Sequence, residues 1–249
     1  MIQKNANQPL SLISTLWSLV FQAHKGPPEE ARLARQQLLE RYGGAVQRHL
    51  RKVLHDPNAA DEIVQEFAIQ LVHGDLRGAD PHRGRFRNFV KGTLYHLISD
   101  YRKKQRRWPG PLPGSGDTIA DASEQVDSDR QFVESWRDEL LARAWAALAK
   151  TETRKGQPYY AVLRFRVNHP HLKSPQLASQ LAVLLDRPLT AVGIRQLLHR
   201  ARETFADLLL DEVTQSLENP TPELLLEELV ELGLFDYCKP ALERRELTV

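Results

Sequence analysis

The chain has 249 residues, 41% of them hydrophobic and 27% charged, which suits a soluble globular protein of one large domain or two small ones. The net charge of +2 excludes polyanion binding through global balance and leaves it to local patches. A single cysteine, Cys238, excludes an internal disulfide and, with no signal peptide in view, points to a reducing cytoplasm. No apolar run nears the roughly 20 residues needed to cross a bilayer, so no membrane partner is expected.

Nearly every periodic segment reads as helix, and no alternating run or Asn-Gly hairpin signal argues for a strand. The opening "SLISTLWSLVF" is short and broken by serines, as an amphipathic first helix would be. "PPEEARLARQQLLERYGGAVQRHLRKVL" starts with Pro-Pro and Glu-Glu, good first-turn residues, and its Gly43-Gly44 pair predicts a kink or interruption. After a turn at Asp56-Pro57-Asn58, a helix carries Ile63, Val64, Phe67 and Leu71 inward and stops at Gly74. "DLRGADPHRG" is a loop by composition.

The segment "RGRFRNFVKGTLYHLISDYRKKQRRW", Arg83 to Trp108, has two faces. Phe86, Phe89, Val90, Leu94, Leu97, Ile98 and Tyr101 recur at helical spacing and form a stripe to be buried. Arg83, Arg85, Arg87, Lys91, Arg102, Lys103, Lys104, Arg106 and Arg107 stand against one acidic residue, Asp100. A surface helix usually mixes its signs, so this bias calls for a polyanion, or else for a plain solvated face on a core helix.

"WPGPLPGSGDTIADASEQVDSDR" is rich in Pro, Gly, Ser and Asp and reads as a flexible linker over residues 108–130. Beyond it, "FVESWRDELLARAWAALAK" and "QPYYAVLRFRVNHP" are helical. Ser174-Pro175 starts another helix, with Ser174 as its cap. "DRPLT" makes a tight turn, and Thr190 caps a longer helix whose apolar face is Ile194, Leu197, Leu198, Ala201, Phe205, Leu208 and Leu209. A short helix, a tight turn and a longer helix presenting Arg195, Gln196, His199, Arg200 and Arg202 form a helix-turn-helix pattern or an ordinary helical hairpin. Arg and Gln near the start of the second helix suit base edges, and the later arginines suit phosphates. From Glu203 to the end, twelve acidic residues face three basic ones. This tail is either a packed, solvated helix pair or a regulatory element that covers the basic surface or recruits a partner.

The order of these segments resembles one family, the bacterial RNA polymerase sigma factors, and in particular their extracytoplasmic-function (ECF) group. "DEIVQEFAIQLVHG" is similar to the part that docks on the polymerase clamp. "DPHRGRFRNFVKGTLYHLISDYRKKQRR" is similar to the part that reads and melts the minus-ten element, and "LTAVGIRQLLHRARETFADLL" to the minus-thirty-five recognition helix. The opening region and "ADPHRGRFRNF" resemble planctomycete-type members. The resemblance covers residues 12–107 and 131–212.

It implies an all-α fold of two helical domains. Residues 1–107 would be a region 2-like domain, 108–130 a flexible linker, 131–213 a region 4-like helix-turn-helix domain, and 214–249 an acidic extension outside the family pattern. It implies that Asp61, Glu62, Gln65 and Glu66 contact the β′ coiled coil. The minus-ten contacts would come from Arg77, Arg83, Arg85 and Arg87, from Lys91 and Tyr95, and from the cluster of Arg102, Lys103, Lys104, Arg106 and Arg107. Thr190, Ala191, Arg195, Gln196, His199, Arg200 and Arg202 would serve the minus-thirty-five element. Lys91-Gly92 departs from the aromatic or aliphatic pair common in the family. The expected partners are core polymerase, through its β′ clamp and β flap, promoter DNA, and an anti-sigma factor or other regulator.

No cofactor, metal or catalysis is implied. Asp61, Glu62 and Glu66 near His73 are read as favourable helix N-terminal acids rather than an acid/base set. His169-Pro170-His171 has no Cys or carboxylate cluster beside it and is read as loop. The rival readings are a stand-alone helix-turn-helix regulator, which would dimerise on half-sites, and an adaptor acting through its acidic tail. For a sigma factor, removal of the tail beyond Val213 is expected to preserve or raise promoter-specific transcription.

Overall fold

The computed structural model describes residues 16–73, 86–107, 122–217 and 220–247. Among the described residues every regular element is an α-helix. The chain divides into two compact units, residues 1–135 with 217–219, and residues 136–216 with 220–249. No helix among the described residues is long and apolar enough to cross a membrane.

The first unit is built on α1 (Leu16–Lys25), α2 (Pro28–Leu54), α3 (Pro57–His73), α4 (Phe86–Arg107) and the first part of α5 (Ala122–Lys155). On α2, Ala31, Ala34, Leu38, Tyr42, Ala45 and His49 are buried at steps of three and four, with Val46 and Leu50 widening the stripe at its C-terminal end. Pro27 precedes the helix, and Glu29 and Glu30 lie in its first turn, where the helix dipole favours acids. His55 ends it in the left-handed region at φ 55°. Asp56 then accepts the Asn58 N–H at 2.9 Å and starts α3.

The Gly43-Gly44 pair does not interrupt α2, which runs unbroken through it. Tyr42, Ala45 and Val46 are buried on either side, so tertiary packing holds the helix despite the pair's low propensity. A Cβ at Gly43 would meet nothing within 4 Å. Gly43→Ala is therefore expected to stabilise the protein by about 0.5–1 kcal/mol, read from urea unfolding of the two chains side by side.

α5 begins earlier than the composition suggests. Residues Ala122–Arg130, expected to be the end of the linker, are helical. Phe132 is buried and meets the His49 ring edge-on at 5.3 Å. That anchored turn propagates helix backward through the polar stretch, because adding a turn costs far less than nucleating one. The remainder of the linker lies outside the described residues.

The second unit contains the rest of α5, then α6 (Tyr159–Asn168), α7 (Ser174–Leu184), α8 (Ala191–Ser216), α9 (Pro222–Glu231) and α10 (Phe235–Arg244). α8 is its spine. Ile194, Leu198, Ala201, Phe205 and Leu209 are buried as expected from periodicity, joined by Ala206, Leu210 and Val213, while Leu197 and Leu208 are half-buried. α7 starts one residue earlier than read. Ser174 is its first helical residue, Lys173 is the cap, and the Lys173 N–H donates to Gln176 Oε1 at 3.0 Å. The α7–α8 turn closes as expected. Asp186 takes φ 47°, the Arg187 N–H reaches back to the Ala182 carbonyl at 3.1 Å, and Thr190 Oγ1 accepts the Gly193 N–H at 3.0 Å.

The acidic extension is part of this core. Leu225, Leu229, Leu232, Leu234, Cys238, Ala241 and Leu242 are buried. Burial pushes the Cys238 thiol up to about 12, with Asp207 adding to it. Arg244 pairs with Asp207 on α8 at 3.1 Å, and Arg245 with Asp211 at 2.6 Å. The extension is thus anchored to the acidic half of α8, and Arg195, Gln196, His199 and Arg200 near the other end remain exposed.

Candidate nucleic-acid and polymerase interfaces

Three surfaces carry the residues singled out in the sequence. The first is the outer face of α3. Ile63, Phe67 and Leu71 turn inward at steps of four, which leaves Asp61, Glu62, Gln65 and Glu66 exposed together. Asp61 lies 3.7 Å from Arg51 of α2, an exposed pair that contributes little stability. Ile69 belongs to this surface as well. It is exposed, at helical spacing from Glu62, Gln65 and Glu66, and out of phase with the buried stripe. That phase mismatch is the sequence signal that would have found it. An acidic face with one exposed aliphatic suits a basic protein partner with an apolar contact at its centre.

The second surface is α4. Phe86, Val90, Leu94 and Ile98 are buried at strict i, i+4 steps, while Phe89, Leu97 and Tyr101 flank them half-buried. Phe86 packs edge-on to Tyr42 at 5.1 Å and stacks with Phe89 at 5.7 Å. Tyr95 is half-buried, off the stripe, with its ring edge-on to His96 at 5.9 Å. Arg102, Lys103 and Lys104 are exposed near the C-terminal end, and Lys103 reaches Asp100 at 3.3 Å.

Two members of the expected basic set are placed differently. Arg87 is buried, three residues before Val90 and seven before Leu94 on the packed side of α4, so it does not belong to the exposed rim. Lys91 donates to Asp129 of α5 at 2.8 Å, a partly buried pair inside the first unit. Thirty-eight residues separate these two, and no local pattern could have paired them. Arg77, Arg83 and Arg85, and the side chains of Arg106 and Arg107, lie outside the described residues.

The third surface is the helix-turn-helix pair α7–α8. Thr190 is exposed at the cap and Ala191 is the first helical residue. α8 presents two distinct polar faces. Gln196 and Arg200 share one, and His199 stands at its edge, with Nε2 3.6 Å from Glu203 one turn on. Arg195 and Arg202, seven residues apart, share another, beside the α6–α7 connection. Among the described residues no cluster of three or more His, Cys, Asp or Glu side chains could hold a metal.

Residues 38–107 match the family model for Sigma-70 region 2. The match runs from the middle of α2 through α3 to the end of α4 and so contains both the acidic face and the basic helix. It supports an RNA polymerase sigma factor, a class that acts in transcription initiation through core RNA polymerase and promoter DNA. Neither the comparison with curated proteins nor that with solved structures gave a match.

Proposed function

We propose that this protein is a sigma factor of the extracytoplasmic-function type, planctomycete-like in its opening region, that binds core RNA polymerase and directs it to promoters of two elements. The observation that carries the reading is the coincidence of the region 2 match with α3 and α4: one family segment holds an exposed acidic, Gln-containing face and a helix with a basic rim. The acidic face takes the β′ clamp. The rim of Arg102, Lys103 and Lys104, with the flanking arginines, tracks the phosphates of DNA opened at the minus-ten element, and Tyr95 offers a ring for a base. Cationic grooves with stacking rings are how single strands are held, at about 1–3 kcal/mol per stacked base. The second unit reads the minus-thirty-five element in the major groove, with Gln196, His199 and Arg200 toward base edges and Thr190 and Ala191 at the helix start. In this reading residues 1–107 and 131–213 are the two DNA-contacting domains, the chain has no chemistry of its own, and a separate protein regulates it.

Run-off transcription tests it. Core polymerase from the source bacterium is given genomic fragments with and without the protein. Start sites that appear only with it support the proposal. Tight duplex binding with neither start sites nor co-elution with core would instead identify a stand-alone regulator.

Replacing both Lys103 and Lys104 by Ala is expected to weaken binding to every promoter alike. The slope of log affinity against log salt should become shallower by about 1.4, and affinity near 0.15 M salt should fall roughly tenfold. Filter-binding titrations over a salt series read both numbers, and an unchanged slope would remove the α4 rim from the DNA surface. Gln196→Ala should act differently, costing about 1–3 kcal/mol on the preferred site and little on others. Equal loss on all sequences in the same titrations would count against base readout.

A further inference from the structure

The second unit contains a cleft of about 530 Å³ between α8 and the α6–α7 connection. Arg166 comes from α6, His171 and Lys173 from the connection, and Arg195 and Arg202 from α8, while Ser174 opens α7 at its edge. No carboxylate lines it. Convergence of like charges costs free energy, and proteins normally offset it with acidic neighbours. Among the described residues the side chains of Lys173 and Arg195 make no hydrogen bond or ion pair, and Arg202 has no carboxylate partner, its electrostatic neighbour being the Tyr237 hydroxyl of α10. Arg166 does have a partner: its Nη1 donates to the Leu172 carbonyl at 2.6 Å, which ties α6 to the connection and fixes that rim. Arg195 and Arg202 are held one above the other by Leu198 between them, which packs into the core.

We propose that this cleft is a phosphate seat. Guanidinium forks suit the several acceptor oxygens of a phosphate, and the first turn of α7 adds the positive end of a helix dipole. The volume lies within the usual range of small-molecule sites, about 300–1,000 Å³, and exceeds a single phosphate, so it fits an oligophosphate or a run of phosphodiester. The phosphate can come from the backbone of a DNA duplex or from a free oligophosphate; the chemistry is shared. In either case Arg195 leaves the set of base readers and acts as a phosphate ligand. The seat does not rest on the sigma-factor reading, because its test needs no polymerase and no promoter.

The test is calorimetric titration of inorganic tripolyphosphate into the full-length chain at low salt. Three chains are compared: the unaltered protein, the cleft variant Arg195→Ala with Arg202→Ala, and a control, Arg154→Ala with Lys155→Ala, which removes the same charge from the exposed end of α5. All four side chains are exposed, and thermal melts confirm that each variant is folded. One tripolyphosphate should bind the unaltered chain, about tenfold or more weakly to the cleft variant, and with near-native affinity to the control. A random-sequence duplex is then added as competitor. Displacement assigns the seat to the DNA backbone, and coexistence assigns it to a free oligophosphate. No binding by the unaltered chain at millimolar concentration, or equal weakening in both variants, would overturn the seat and leave only diffuse positive charge.

Discussion

A chain ended after Ser216 is expected to lose the cooperative unfolding transition of its second unit. The sequence alone led to a different expectation, that a sigma factor without the tail beyond Val213 keeps or gains promoter-specific transcription. Five leucines of the extension, Leu225, Leu229, Leu232, Leu234 and Leu242, are buried. At about 1.5–3 kcal/mol each, their burial is comparable with the whole stability of a typical domain, about 5–15 kcal/mol, even if an extended-chain reference inflates the sum. α10 packs on α8, and Phe205 meets Tyr237 at 6.0 Å, so removal strips the helix proposed to read DNA. The Arg244 and Arg245 pairs with Asp207 and Asp211 fix register more than they add energy, since each is about a third exposed. Thermal unfolding followed by circular dichroism compares the two chains. A truncated protein melting within a few degrees of the full chain would make the extension an ornament. Leu242→Ala is the milder version, expected to cost about 2–5 kcal/mol with the helices still in place.

Promoter-specific transcription by a truncated protein therefore has to be read together with its folding. A drop in activity would reflect loss of the second unit before it reflected any lost partner. The extension does not cover the basic end of α8, because its arginines are spent on Glu203, Asp207 and Asp211 further along the helix. The reversal of charge along α8, basic to acidic after Arg202, thus marks a division between a face left open and a face that receives α10.

The elements most legible in the sequence are those whose burial follows a local period. α4 is the clearest, with Phe86, Val90, Leu94 and Ile98 at one angle of the helix and the charges elsewhere. α7, its turn and α8 were legible for the same reason, with Pro175, Asp186 and Thr190 marking the boundaries. What the sequence hid depends on distant partners. Lys91 looks like one more rim cation until Asp129 is brought to it across 38 residues. The start of α5 has linker composition and is helical because Phe132 anchors it. The tail was legible in part: a packed helix pair was one of the two readings its sequence allowed, and the leucine stripe of "PELLLEELVE", Leu225 and Leu229, is buried as that reading requires, but its partner surface on α8 had no local signal. Arg87 carries the charge of a rim residue but the helical phase of Val90 and Leu94, with which it is buried.

Acidification is expected to loosen the first unit through His49. This histidine is buried on α2, in phase with Tyr42 and Ala45, with its ring edge-on to Phe132 of α5. Burial above all, and then Lys52 on the same helix, lowers its pKa from 6.5 to about 4 against the opposing effect of Asp129 and of a hydrogen bond to the Gln131 backbone, both from α5. In the unfolded chain the imidazole titrates near 6.5. Between pH 6.5 and 4 the unfolded state therefore binds the proton and the folded state does not, so stability falls as pH falls through that window. The contribution is fully present above pH 6.5 and lost by about pH 4, and two and a half pH units correspond to about 3 kcal/mol. Urea unfolding at pH 7 and pH 4.5 measures it, and His49→Gln supplies a chain of similar shape without the titrating group. The unaltered protein should lose about 2–3 kcal/mol more than the variant between the two conditions. Parallel losses would mean that the ring is open to water in solution, and that the packing of α5 on α2, which also brings Asp129 to Lys91, is looser than the His49–Phe132 contact implies.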